Sequence, residues 1–330
     1  MNTPAKLTGF VAAVAAVFGI ALLVGATVGP VEEQTEDPAA SAHDAGHGED
    51  TATGSAAETP AAETPAAETP AVEDIPGGLM TYRNGYTLAL AETNLESGEG
   101  RNLTFAINGP DGTPVTDFDV THDKELHLIA VRRDFTGFQH VHPVLDENTG
   151  IWSVDVDLTP GTWRVFTDFT PTGGEALTLG TDLAVAGEFV PAPPEADNRT
   201  ATVDGYEVTL DGDLSSGGDA MLTLTVSKDG QPITDLQPYL GAYGHLVALR
   251  GGDLAYLHVH PDGTPGDGTT RPGPEVVFHT SVPSAGTYHL YLDFQHDGVV
   301  RTAAFTLTAG GTGEVQSGSG AHGDHSHSGR

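Results

Sequence analysis

The run FQHVHP at residues 138–143 sets two histidines two apart and closes on proline, and YLHVHP at 256–261 repeats it. In an extended chain, residues two apart point to the same face, about 6.6 Å from each other. His140 and His142 therefore project together around Val141, and His258 and His260 project together around Val259. One strand earlier stand His127 and His245. A hairpin loop of even length puts this third imidazole on the face of the pair, and a loop of odd length sends it to the other face. Gly251-Gly252 is a favoured turn dipeptide. A two-residue loop there sets His245 across from His258, and a four-residue loop sets it across from His260. Three imidazoles from neighbouring strands match a His₃ site for Cu(II) or Zn(II), copper being held more tightly by nitrogen ligands. The spacing thus predicts one cluster per copy: His127, His140 and His142 in the first, and His245, His258 and His260 in the second. Binding requires neutral imidazoles and weakens below about pH 6. The competing reading makes these histidines ordinary residues of duplicated strands.

The elements that must position them belong to an internal repeat of roughly 110 residues. NGYTLAL (84–90) answers to DGYEVTL (204–210), DGTPVTDF (111–118) to DGQPITDL (229–236), HLIAVR (127–132) to HLVALR (245–250), and GTWRVFTDF (161–169) to GTYHLYLDF (286–294). Both copies consist of short alternating runs rich in Val, Thr, Leu and aromatics, punctuated by Gly, Pro, Asp and Asn, with no helical period. Strands are expected in the first copy near 80–91, 102–108, 125–132, 137–142, 151–158, 162–169 and 177–186. Seven short strands in such a length predict an antiparallel, immunoglobulin-like β-sandwich, so the fold class is all-β with two tandem sandwiches. Trp152, Trp163, Phe166 and Phe169 are expected as its aromatic core. Asp168 and Asp293 hold equivalent places and are read either as partners of a histidine or as strand-end acceptors for backbone. His279, His289 and His296, present only in the second copy, are read as surface residues.

Of 330 residues, 13 are basic and 46 acidic, a formal charge of -33 that repels nucleic acid and attracts cations. With no cysteine, disulfides, thiolate metal sites and blue-copper centres are excluded. The three methionines, Met1, Met80 and Met221, are too few for a thioether cluster. Residues 7–29 carry no charge and would span roughly 34 Å as a helix, enough for a hydrocarbon core. Lys6 precedes this segment and acids follow, which places the bulk outside the cytoplasm. The segment is read as an uncleaved anchor, with a signal peptide as the alternative. Around it the chain divides into a cytoplasmic stub (1–6), a disordered acidic Pro/Ala/Glu/Thr spacer (30–77), the sandwiches at 78–190 and 200–309 joined by a linker (191–199), and a tail (310–330). His322, His325 and His327 in that tail are read as a low-affinity metal trap, with a solvated tail as the alternative.

The runs ELHLIAVRRDFTGFQHVHP, GTWRVFTDFTPTGG and LTLGTDLAVAG resemble secreted or membrane-anchored bacterial proteins, especially actinobacterial ones, that carry immunoglobulin-like domains and are often labelled heavy-metal- or copper-binding. The likeness covers about 78–309. It implies extracytoplasmic metal handling, with His140, His142, His258 and His260 matching its H-x-H-P element. No nucleophile elbow, P-loop or dinucleotide fingerprint occurs, and no general base stands beside the histidines, so no enzymatic activity is expected. The expected function is binding of copper or zinc at the cell envelope, with the membrane and an envelope protein as partners. The alternative is a non-metal sandwich module that binds a protein or polymer.

Overall fold

The structure is a computed structural model and describes residues 75–310 apart from His258. The expected membrane segment, most of the spacer and the tail histidines His322, His325 and His327 lie outside the described residues. Among the described residues there is no helix long and apolar enough to cross a membrane.

The first repeat comprises β1 (Tyr82–Arg83), β2 (Tyr86–Leu90), β3 (Asn94–Glu96), β4 (Gly98–Asn108), β5 (Phe118–Asp119), β6 (Leu126–Arg132), β7 (Gln139–Val141), β8 (Val144–Asp146), β9 (Ile151–Leu158), β10 (Gly161–Pro171) and β11 (Leu177–Ala186). The second comprises β12 (Thr200–Val203), β13 (Tyr206–Asp211), β14 (Asp219–Lys228), β15 (Gln231–Pro232), β16 (His245–Arg250), β17 (Tyr256–Leu257), β18 (Val259–Pro261), β19 (Glu275–Ser281), β20 (Gly286–His296) and β21 (Val299–Ala309). In repeat 1 one sheet runs β1-β2-β4-β9-β8 and the other β3-β11-β10-β6-β7, with β5 paired to β10. Repeat 2 has β12-β13-β14-β19-β18, with β15 on β14, and β17-β16-β20-β21. Five strands in line facing a four-strand set in the G-F-C-C′ order make an immunoglobulin-like sandwich.

Each sandwich has its own core. Phe105, Phe118, Trp152, Trp163 and Phe169 fill the first, and Tyr206, Phe278, Phe294 and Phe305 fill the second. Along β6, Leu126, Leu128 and Ala130 point into this core, while Ile129 and Val131 point the other way and are equally buried. The same holds for β16, where Leu246 and Ala248 face inward and Val247 and Leu249 outward. These outward residues meet one another in a third apolar cluster with Phe166, Leu254, Tyr256 and Tyr291. The two sandwiches are therefore packed through the sheets that carry β6 and β16. A strand buried on both faces has to be apolar at consecutive positions rather than alternately, which is why LIAV and LVAL occur unbroken.

Three expectations are corrected by this packing. Phe166 belongs to the contact between repeats and not to the core of the first. His289 is buried and stacks on Phe135 of the other repeat, ring centroids 3.7 Å apart. His296 is buried as well, with Nδ1 2.7 Å from the Tyr206 hydroxyl. His279 is exposed, as expected. Around the third cluster, Phe138 stacks on Tyr291 at 3.9 Å, and the Tyr291 hydroxyl donates to the Phe135 carbonyl at 2.7 Å. Residues before β1 also enter the seam. Tyr256 N–H donates to Gly77 O at 2.9 Å and Arg164 Nη2 to Gly78 O at 2.6 Å. Gly180 has no room for a side chain, because a Cβ there would lie 2.1 Å from Gly78 O.

Removing an aromatic ring from this seam should cost what a core truncation costs. Phe166→Ala is expected to lower the stability of the chain by about 3–5 kcal/mol in denaturant unfolding. A loss below about 1 kcal/mol would mean that the ring is not buried between the sandwiches.

Candidate metal centre at the junction of the repeats

β6 and β7 are joined by the six residues 133–138, and Leu128↔Val141, Ile129↔His140 and Ala130↔Gln139 are partners. This even loop sets His127 on the face shared by His140 and His142, as the spacing required. Pro143 follows and cannot donate to the ladder, so the chain crosses to the other sheet as β8. In repeat 2 the corresponding turn is also even, with Ala248↔Leu257 and Leu249↔Tyr256. There the strand changes sheets sooner: Val259, His260 and Pro261 already pair with β19, His260 opposite His279. His260 is exposed on that outer sheet. The expected meeting of His245 with His260 does not occur, and His258 lies outside the described residues.

His245 instead joins the histidines of repeat 1. It projects from β16 into the seam, its ring parallel to that of His127 at 5.8 Å and 4.8 Å from that of His140. The two equivalent residues of the duplication thus face each other, and the expected pair of clusters is replaced among the described residues by one composite cluster. One ligand atom each from His127, His140 and His142 lies within 4.8 Å of the others, and the same is true of His140, His245 and Asp293. His140 is common to both groups.

Hydrogen bonding fixes the tautomers of the two central rings. His127 Nε2 is 3.0 Å from Thr121 O, an acceptor, so Nε2 carries the proton. His140 Nδ1 is 2.7 Å from Asp293 Oδ2, a carboxylate that also accepts from the Thr302 hydroxyl through Oδ1; Nδ1 of His140 therefore carries the proton. In the neutral rings His127 Nδ1 and His140 Nε2 are then both bare, and they face each other at 3.2 Å. Two opposed lone pairs at that distance need a cation between them, a proton or a metal. Nε2 of His142 and Nδ1 of His245 are buried with no hydrogen-bond partner. Four nitrogens at one place thus lack a satisfied donor–acceptor arrangement.

A proton is a poor occupant. Burial, followed by the neighbouring charges of His127 and His122, pushes the His140 pKa down to about 3. Burial, His140 and His127 push His142 to about 3. Burial also lowers His127, against the favourable carbonyl of Thr121 and charge of Asp168, and it lowers His245 strongly. The Asp293 carboxyl is raised to about 6 by burial, opposed by Thr302 and His245, so it remains a carboxylate at neutral pH. The residues present therefore suit a Zn²⁺ or Cu²⁺ ion: neutral imidazoles with bare nitrogens converging, and a carboxylate behind one of them to orient the ring and raise its basicity.

Asp168 has a different role from Asp293. It lies opposite His127 in the ladder and accepts a hydrogen bond from Thr178 at 3.1 Å. Two residues escaped the sequence reading. His122, in the turn Thr121–Lys124, has its ring 6.0 Å from His127 and 5.7 Å from His245, and it is exposed to solvent. Its φ of 50°, with 64° at Asp123, is the left-handed pair of a type I′ turn. Repeat 2 has Leu240-Gly241 in the matching turn. Tyr239, beside it, lies 6.2 Å from His142. The available signal was the position of each turn, five residues before His127 and His245.

Residues 81–187 and 201–311 each match the family described as Domain of unknown function (DUF8832), and the chain belongs to that family. No curated protein matches it in sequence. Among solved structures it is similar to a DUF4426 family protein from Pseudomonas aeruginosa, with 9% identity, a TM-score of 0.26, and coverage of 34% of this chain and 96% of that one. It is also similar to FdeC, an adhesin of Escherichia coli, with 16% identity, a TM-score of 0.22, and coverage of 70% and 65%. InvD of Yersinia pseudotuberculosis gives 13% identity, a TM-score of 0.22, and coverage of 69% and 58%. The chain thus spans less than two thirds of the last two.

The pKa directions carry a sign for stability. All four imidazoles bind protons less readily folded than unfolded, so their contribution is present above about pH 6.5 and is lost as pH falls from there towards about 3. Asp293 acts oppositely between about pH 6 and 4, as a single group against four. In metal-free protein, nitrogen-resolved NMR is expected to show His127 as the Nε2–H and His140 as the Nδ1–H tautomer. His140 and His142 should remain neutral down to about pH 5. Protonation of either at pH 6.5 would contradict the site as described.

Proposed function

We propose that this chain is an extracytoplasmic copper- or zinc-binding protein, and that the ion is held where its two sandwiches meet. The observation that carries this reading is the pair of bare nitrogens, His127 Nδ1 and His140 Nε2, opposed at 3.2 Å. Two ligands of a tetrahedral ion at ordinary metal–nitrogen length sit about 3.3 Å apart. His142 supplies the third donor, and Asp293 holds His140 from behind. His245, whose ligand atom lies within 4.8 Å of those of His140 and Asp293, brings an imidazole of repeat 2 beside the ion.

The location follows from the apolar segment 7–29 and the acidic spacer after it, which would present the sandwiches outside the cell. The field of a chain with net charge -33 raises the local concentration of cations. The tail histidines His322, His325 and His327 would add weak capture, and an envelope protein is the expected recipient or donor. The role is binding and transfer without catalysis, since Asp293, the carboxylate of the cluster, is already engaged by His140 and Thr302.

Zinc and copper(II) titrations of the full chain by calorimetry test the proposal. Wild type should show a site tighter than about 10 μM, equivalent to roughly 7 kcal/mol. His140→Ala should lose that site and leave only weak binding, and Asp293→Asn should weaken it by about 10–100-fold. No binding tighter than about 10 μM in the wild type would favour the module whose histidines are purely structural.

A further inference from the structure

The early crossing of the second H-x-H strand leaves a different constellation on the outside of repeat 2. On β19, His279 is the direct partner of His260 on β18 and of Met221 on β14. Directly opposite residues of an antiparallel ladder share a face, so Met221, His279 and His260 form a row across three strands. All three are exposed, Met221 at 59%. Asp262 N–H donates to Val277 O at 2.8 Å, which makes 262/277 a hydrogen-bonded pair. Two residues along, His260/His279 is of the same kind, with Cα atoms about 5.5 Å apart. On the other side Val226 N–H donates to Pro274 O at 2.9 Å. Counting along that ladder makes Met221/His279 the closer, non-hydrogen-bonded kind, about 4.5 Å apart.

Repeat 1 shows what an ordinary row at this place looks like. Its row lies one step beyond the partners Leu103↔Val154, as Met221↔His279 lies one step beyond Leu222↔Phe278. The residues there are Asn102 and Asp155, which satisfy each other through a 3.1 Å hydrogen bond. Repeat 2 has exchanged this self-sufficient polar pair for a thioether and an imidazole, and has brought a second imidazole alongside. Met221 is one of only three sulfur atoms in a chain without cysteine. Thioether with imidazole is a donor set that favours copper(I) over zinc and over hard cations.

We propose that Met221, His279 and His260 form a second, solvent-facing site specific for copper(I), separate from the junction cluster. Its donors are one sulfur and two nitrogens, whereas the junction offers nitrogen and oxygen alone. The chemistry suits an ion that arrives or leaves at the surface, since no element has to move to expose it.

The absence of cysteine makes sulfur a unique reporter. X-ray absorption of the full chain loaded anaerobically with copper(I) should show a copper–sulfur shell. Met221→Leu should remove it and Met80→Leu should retain it. His279→Ala should lower copper(I) affinity, measured against a chromogenic chelator, by at least the ~10-fold that losing an outer partner costs. These positions are exposed, so folding of the variants, checked by circular dichroism, should be unchanged. A wild-type spectrum with nitrogen ligands only, or a sulfur shell that survives Met221→Leu, would overturn the site. Neither outcome would bear on zinc binding by His140 at the junction.

Discussion

The structure depends on one act of burial. The sheet that contains β6 and the sheet that contains β16 are apolar on both faces, and a sandwich can cover only one. The remaining faces, with Ile129 and Val131 on one side and Val247 and Leu249 on the other, cover each other. Burial of apolar surface in this seam brings polar groups with it, because His127 and His245 lie on those same faces one step from the apolar rows. Once enclosed, the imidazoles lose water and must find partners within the seam. They find Thr121, Asp293 and one another.

The chemistry of the cluster follows from that enclosure. A carbonyl at one ring and a carboxylate at the other direct the protons outward and the lone pairs inward. The cost of two facing lone pairs, added to two buried nitrogens with no partner, is tolerable in a folded protein when a cation completes the arrangement. Protons serve poorly because burial disfavours the imidazolium. The acidic character of the chain as a whole then matters at a distance, as an attraction for the same cations.

Much of this was legible in the residues. Alternating runs and turn dipeptides yield the strands closely: 151–158 and 177–186 were expected at the limits observed, and 162–169 within a strand that extends over Gly161–Pro171. That an even loop would bring His127 to His140 and His142 could be stated from spacing, although the turn dipeptide favouring one, Gly251-Gly252, lies in repeat 2. What could not be read was where repeat 2 changes sheets. YLHVHP and FQHVHP differ little, yet His142 belongs to the seam and His260 to an outer sheet. The seam itself left a trace in the unbroken LIAV and LVAL runs, which mark strands covered on both sides. The misplacement of Phe166, His289 and His296 has the same origin: each lies in contacts of the packed pair or among long-range partners that local pattern does not specify.

The halves meet through equivalent surfaces, as subunits of a two-fold dimer do, yet they are parts of a single chain. A tether of this kind holds one half near the other at an effective concentration in the millimolar range for short flexible links, so dilution does not separate the clustered imidazoles. It also frees each half to change alone. A homodimer would be obliged to carry His122 twice and could not have Leu240 at the matching place of one half. Here the duplicated surface has become lopsided, one side giving three imidazoles and the other giving His245 and the carboxylate that orients His140.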